Sequence, residues 1–208
     1  MITLDQNELH IKGAIASPAI RPVFAMMNPE NTYTLPKFQI ACGAADIMMH
    51  TIDRYFTRVE GSELTDATAE DVICVAARNG IRALESEQNY DAPSELMWCG
   101  SLSRNGLTNL GRPVDFSVHQ LGNSFRGIYP CATHGAVMAI LWPVWAEYVY
   151  KTDVARFAKY ARNVWKVEDT DDNDAALAGI GATKAFFTEK LNLPASLSAL
   201  ASKRLKRI

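Results

Sequence analysis

The chain has 208 residues, 48% hydrophobic and 21% charged, enough to bury a substantial core in one large domain or a domain with an appendage. Lys+Arg 21 against Asp+Glu 23 leaves a formal charge of -2, which excludes a nucleic-acid binder working by bulk electrostatics; the tail KRLKRI is only a local basic patch. Cys42, Cys74, Cys99 and Cys131 lie 25 or more residues apart, which is neither a disulfide framework nor a zinc-finger spacing. No apolar stretch follows a basic start in MITLDQNELH, and GAVMAILWPVW is too short to span a bilayer as a helix. Reduced, mostly buried thiols in a cytoplasmic protein are expected, with neither nucleic acid nor membrane as partner.

Residues 1–12, MITLDQNELHIK, alternate weakly and are expected to form a strand or hairpin arm. Pro18, Pro22, Pro29 and Pro36 then exclude a long helix, so residues 1–36 read as an extended connector, with a short strand within ASPAIRPVFA. Beyond Pro36 the pattern is helical almost to the end. The first helix is expected from Lys37 to Arg58. A second, capped by Thr65, carries DATAEDVICVAARNGIRALES, with Val72, Val75, Ala76, Ile81 and Leu84 at roughly helical spacing. A third covers Ala92 to Leu107, with its proline early enough to break no intrahelical bond. A turn at Asn109 to Pro113 precedes a short helix, Asp115 to Phe125, which stops at a Gly127 to Pro130 turn. The apolar helix Thr133 to Tyr150 contains Pro143 and is expected to kink there. Asp153 to Val164 and Asp174 to Leu191 complete the set, the acidic linker VEDTDDND favouring the start of the last helix. The fold class is all-α, a multi-helix domain over 37–208 with a short extended N-terminal segment.

Chemistry concentrates in the first helix, QIACGAADIMMHTIDRY. Asp46 and His50 are four residues apart and share a helical face among Ile47, Met48 and Met49, so a buried carboxylate and imidazole there need a partner. The histidines are His10, His50, His119 and His134; the last two flank a turn in VHQLGNSFRGIYPCATHG, so one helix end and the next helix start can face a common centre. One carboxylate and three imidazoles from three helices suit Fe²⁺ or Zn²⁺ better than Mg²⁺ or Ca²⁺. Spacing alone leaves the alternatives open: core histidines, and a salt bridge or cap partner for Asp46.

Three runs, PVFAMMNPENTYTLPKFQIACGAADIMMHTIDRYF, NYDAPSELMWCGSLSRNGL and VHQLGNSFRGIYPCATHGAVMAILWPVW, carry a resemblance that keeps its order over nearly the whole chain. They resemble the iron-dependent alcohol dehydrogenases, especially the branch of bacterial NADPH-dependent aldehyde reductases and butanol dehydrogenases. The resemblance implies a C-terminal helical domain of the dehydroquinate synthase-like type. It also implies Fe²⁺ or Zn²⁺ held by Asp46 and His50 from a D-x-x-x-H helix and by His119 and His134 from an H…HG segment.

Three departures from the family pattern stand out. The spacing from His119 to His134 is one residue longer than usual, so the turn is expected to absorb it and shift His134 slightly. Asn123 replaces a histidine that the family commonly carries near nicotinamide and substrate, and asparagine cannot shuttle a proton near neutral pH. Family enzymes bind NAD(P) on an N-terminal α/β domain, whereas this sequence has no comparable Gly-rich phosphate cradle.

The chain is therefore expected to be a fragment, a split gene product or an expressed domain, ending early at its C-terminus. NAD(P)H would be used only with a separate nucleotide-binding domain. The implied substrate is a small aldehyde or alcohol, with Phe125, Tyr129 and Trp98 as candidate pocket residues. Self-association as a homodimer or higher oligomer is expected from apolar residues exposed around the proline-rich segment. The alternatives are an inactive structural or interaction domain, one half of a split enzyme, and a metal-dependent hydrolase or lyase.

Overall fold

The structure, a computed structural model, describes residues 2–6, 11–15, 17–85 and 89–205; His10 and the basic side chains of the KRLKRI tail lie outside the described residues. The expected hairpin arm is present. Strand β1 (Ile2–Gln6) pairs antiparallel with β2 (Ile11–Ile15), Ile2 opposite Ile15 and Gln6 opposite Ile11. The strand expected in ASPAIRPVFA does not form among its described residues: Pro18–Ile20 is a 3-10 turn and the chain to Ala25 is irregular. Prolines at 18 and 22 remove the N–H groups a ladder would need. The chain then runs open to solvent, Val23, Phe24 and Met26 being 100%, 77% and 89% exposed, the apolar exposure expected there.

Eight helices follow among the described residues: α1 (Lys37–Tyr55), α2 (Glu63–Glu85), α3 (Asp91–Arg104), α4 (Ser117–Ile128), α5 (His134–Val149), α6 (Val154–Trp165), α7 (Asp172–Ala185) and α8 (Leu197–Leu205). Helix α1 is the hub, packing on α2, α3, α4 and α5, while α6 and α7 pair closely and close the bundle against α2 and α5. Its interior positions are small or flexible, with Ala41, Ala44, Ala45, Met48, Met49 and Ile52 all buried. Such residues let neighbouring helices approach on several sides.

Several boundaries differ from those expected. Helix α1 stops at Tyr55, not Arg58, because the Tyr55 carbonyl is taken by Arg156 of α6, from Nε at 3.0 Å and Nη2 at 2.7 Å. The left-handed Gly61 and Ser62 (φ 88° and 60°) then let α2 begin at Glu63. Thr65 is consequently inside α2 and its hydroxyl donates to the Leu110 carbonyl at 3.1 Å instead of capping. Helix α3 ends at Arg104, before the left-handed Gly106 (φ 97°) and a 3-10 turn over Leu107–Asn109. Helix α4 starts after Phe116 and runs past Phe125 to Ile128. In the acidic linker Asp171 accepts from the Asn173 and Asp174 amides at 2.9 and 3.0 Å, so α7 begins at Asp172, two residues earlier than expected, and it passes into a π-helical turn, Phe186–Lys190. Helix α8 was not foreseen. Cys42 and Cys99 are buried as expected, Cys74 is half-buried and Cys131 is exposed; none is in a disulfide.

Candidate metal centre

One face of α1 builds most of the centre. Asp46, His50 and Asp53 follow at i, i+4 and i+7, so their side chains stack along one stripe. His119 comes from the first turn of α4, and His134 is the first residue of α5. The next residue, Gly135, explains how α5 gets so close: a Cβ there would overlap the Cys42 carbonyl, one turn before Asp46. The glycine lets the backbones touch and sets His134 beside Asp46.

Ligand atoms of Asp46, His119 and His134 all lie within 4.8 Å of one another. Asp46 Oδ1 is 3.3 Å from His134 Nε2 and 3.8 Å from His119 Nε2. Two ligands on a tetrahedral zinc lie roughly 3.4 Å apart, given bonds of about 2.0–2.1 Å, so the observed spacing fits one ion. His50 lies against this group but outside the tight set. Its Nδ1 is 2.9 Å from the Asp46 carbonyl oxygen, 3.3 Å from Asp46 Oδ1 and 3.0 Å from His119 Nε2. Asp46 Oδ1, buried and faced by three imidazoles, has no hydrogen-bond partner, and neither does the buried His134 Nδ1. An unpartnered carboxylate oxygen at the focus of imidazole nitrogens is a donor set that a cation would satisfy.

Burial pushes His134 down to about 4 and also lowers His50, so both are neutral near pH 7, the form that carries a lone pair. Burial would likewise lower His119, but the nearby Asp46 carboxylate and the hydrogen bond to Asp53 outweigh it and raise its pKa. Burial raises the Asp46 carboxyl, yet contacts with His119 and His50 and the Arg104 charge hold it well below the usual carboxylate range.

Three supporting residues were missed in the sequence. Asp53, 3% exposed, accepts from His119 Nδ1 at 2.6 Å and from the His119 backbone N–H at 3.2 Å through one oxygen. That bond leaves the His119 Nε2 lone pair facing Asp46. Its place at i+7 from Asp46 was the available signal. Arg54 donates to the His50 carbonyl at 2.6 Å and to Asn109 Oδ1 at 3.1 Å, and its guanidinium lies 4.5 Å above the Phe116 ring. Phe116 is itself left-handed (φ 58°) and sits edge-on to His119 at 5.2 Å. Arg104 of α3 pairs with Asp46 Oδ2, a contact across 58 residues that no local pattern reveals.

The other candidates are not gathered at the centre. Phe125 and Tyr129 pack on each other, ring centroids 4.8 Å apart, whereas Trp98 stands on α3 and is 52% exposed. Asn123 is half-buried on α4.

The chain as a whole matches a known family. Residues 40–205 match the profile of the Fe-containing alcohol dehydrogenase family, C-terminal. The chain belongs to the iron-containing alcohol dehydrogenase family. It is 36% identical over 196 residues to NADH-dependent butanol dehydrogenase A of Clostridium acetobutylicum, covering 93% of this chain and 50% of that protein. It is 34% identical over 187 residues to the NADPH-dependent aldehyde reductase YqhD of Escherichia coli, covering 90% and 48%. The crystal structure of YqhD superposes with a TM-score of 0.89 at 31% identity, over 98% of this chain and 54% of that one. NADH-dependent butanol dehydrogenase A of Thermotoga maritima gives 0.90 at 27% identity, over 99% and 51%. The chain thus spans about half the length of the relatives it matches. Among its described residues no helix is long and apolar enough to cross a membrane.

Proposed function

We propose that this chain is the metal-holding part of an alcohol dehydrogenase or aldehyde reductase that passes hydride between NAD(P)H and a small aldehyde or primary alcohol. The observation that carries the reading is Asp46 Oδ1, buried without a hydrogen bond and faced by imidazole nitrogens at 3.3 to 3.8 Å. Asp46, His119 and His134 would hold Fe²⁺ or Zn²⁺, with His50 as the fourth donor. When bound, the ion supplies Lewis acidity toward a substrate oxygen.

The chain's own residues then have distinct tasks. Asp53 keeps the proton of His119 on Nδ1 and the lone pair of Nε2 toward the centre. Arg54 fixes the His50 carbonyl and with it the last turns of α1. Neutral His50 and His134 leave no proton competing for their lone pairs near pH 7. Asn123 serves at most as a hydrogen-bonding group, since an amide has no proton to give near neutral pH.

Residues 37–208 act in this reading as one helical metal-binding unit, with 1–36 as its connector. Nicotinamide binding falls to a separate nucleotide-binding domain, in keeping with a chain that covers 50% of a butanol dehydrogenase relative. The exposed Val23, Phe24 and Met26 favour a packed partner there, whether that domain or a second copy in a homodimer; the same ridge favours the rival reading, an interaction domain without activity. Four cysteines outside any disulfide fit a reducing compartment such as the cytoplasm.

Elemental analysis of the purified chain tests the centre. The expected result is about one Fe or Zn per chain, lost in His119→Ala. Unchanged stoichiometry in that variant removes His119 from the ligand set.

A further inference from the structure

The centre opens on one side. His50, His119 and Asp53 are closed off at 4%, 5% and 3% exposure. The side chains of Asp46, His134 and Arg104 are 17%, 24% and 48% exposed. A ligand that reaches Asp46 Oδ1 therefore arrives past Arg104. A guanidinium carries five N–H donors in a planar fork, and Arg104 spends one of them on Asp46 Oδ2. The side chain is half exposed, which leaves the others within reach of a ligand from solvent.

Other charges add to this one. Arg54 stands on α1 beside the centre, donating to the His50 carbonyl at 2.6 Å. Arg126 donates to the Ala132 carbonyl at 2.8 Å, two residues before His134. The carboxylates of Asp46 and Asp53 stand against these guanidiniums, and a divalent ion on the proposed ligands deepens the positive excess. A cleft with low-dielectric walls concentrates such a field at its mouth. A neutral primary alcohol makes no use of it.

We propose that Arg104 is a specificity-determining residue, anchoring a carboxylate or similar anionic group at the far end of a short-chain alcohol or aldehyde whose oxygen reaches the centre. The inference rests on the metal-centre reading. Arginine suits the task because its fork can hold Asp46 on one edge and take a carboxylate on another, whereas lysine offers a point charge on a flexible stem. The anchor sits one carboxylate away from the proposed metal position, so a substrate held there needs only a few bonds between its anion and its reacting oxygen.

The test uses the whole chain, Arg104→Leu and Arg104→Lys. Metal content of all three is measured first by elemental analysis. The chains are then loaded with Co²⁺ and titrated with γ-hydroxybutyrate or n-butanol, which share the alcohol and differ in a terminal carboxylate. Calorimetry and the Co²⁺ absorption spectrum report binding. The expected result is about tenfold tighter binding of γ-hydroxybutyrate than of butanol, a preference lost in Arg104→Leu and partly kept in Arg104→Lys. Because Arg104 also pairs with the proposed ligand Asp46, the readout is the ratio of the two affinities within each metal-loaded chain, which a general loosening of the centre leaves unchanged.

Equal binding of the two alcohols by the unaltered chain overturns the proposal, as does a preference that survives Arg104→Leu. Inorganic pyrophosphate is the control for a dinucleotide cofactor. If it binds more tightly than γ-hydroxybutyrate and is the ligand Arg104→Leu releases, Arg104 serves the cofactor and the proposal fails. Full metal content without a carboxylate preference defeats this inference alone, whereas no metal uptake defeats the metal-centre reading and this one with it.

Discussion

Two aspartates, Asp66 and Asp46, differ in how far the chain itself satisfies them, as a charge that holds the fold would differ from one that the proposed centre uses. Asp66, in the first turn of α2, accepts from Arg112, from Arg156 at 2.5 and 2.7 Å and from Lys159 at 2.6 Å, so each of its oxygens has two donors. The bonds tie α2 to α6 and to the loop before α4. Arg156 also lies 3.7 Å over the Tyr55 ring, whose hydroxyl donates to Glu70 at 2.7 Å, and Asn163 fills the other Glu70 oxygen at 2.9 Å. Asp46 is different: Oδ2 has Arg104 and Oδ1 has nothing, although three imidazoles surround it. A carboxylate kept for the fold is saturated by its own chain. On the proposed reading, one kept for a ligand is left with an oxygen that its own chain does not satisfy.

The largest effect is expected at the saturated site. Asp66→Asn removes the anion from beneath three cations and turns an amide toward them, at a cost of about 3–5 kcal/mol, read as a fall in the urea midpoint. The acid limb follows from the same cluster. Burial raises the Asp66 carboxyl, but hydrogen bonds from Arg156, Lys159 and Arg112 outweigh it and hold it well below the usual carboxylate range. A depressed folded-state pKa contributes stability above the unfolded value of about 3.9, and that contribution drains away as pH falls toward the folded value. The unaltered chain should thus lose urea resistance below about pH 4 more steeply than Asp66→Asn. Parallel curves would mean that another carboxylate governs acid unfolding.

Metal sharpens the contrast from the other side. At free Zn²⁺ a hundredfold above its Kd, the folded chain should gain about 2.7 kcal/mol, seen as a chelator-reversible rise in Tm. Asp66→Asn should keep that increment and His119→Ala should lose it. A smaller effect is expected at Asp53→Asn, which weakens the acceptor that orients His119 and should reduce Zn²⁺ affinity about tenfold or more in competition with a chelating dye. Unchanged affinity would show that the backbone bond, not the imidazole bond, is what Asp53 provides.

Much of this was legible in the sequence because local rules dominate where it was. The D-x-x-x-H spacing placed Asp46 and His50 on one face, and the Gly127 to Pro130 interruption set His119 and His134 on successive helices. The acidic linker foretold a favoured helix start, though not that Asp171 would be the cap. What escaped depends on distant contacts. Arg104 meets Asp46 across 58 residues, and Arg156 ends α1 by taking the Tyr55 carbonyl across 101. Helix α8 was hidden for a different reason: its residues, LSALASKRL, are polar and small enough to leave a weak periodic signal. His50 was read as an equal member of the ligand set, yet its Nδ1 also approaches the Asp46 carbonyl at 2.9 Å, a backbone contact that side-chain spacing cannot anticipate.

The smallest stability effect is expected where the same substitution meets the unsaturated carboxylate. Asp46→Asn loses a pair with Arg104, whose side chain is 48% exposed, and such pairs contribute about 1 kcal/mol or less. The asparagine oxygen can still accept from Arg104. Its NH₂ would then point where Oδ1 now stands, toward His134 Nε2 at 3.3 Å. Burial keeps that imidazole neutral, so its nitrogen lone pair can accept a donor as readily as it would bind a cation. With chelator present, Asp46→Asn should therefore shift the urea midpoint by about 1 kcal/mol or less, while abolishing the Zn²⁺-dependent rise in Tm. A loss as large as that of Asp66→Asn would make Asp46 a structural anchor, and the difference drawn between the two aspartates would fall.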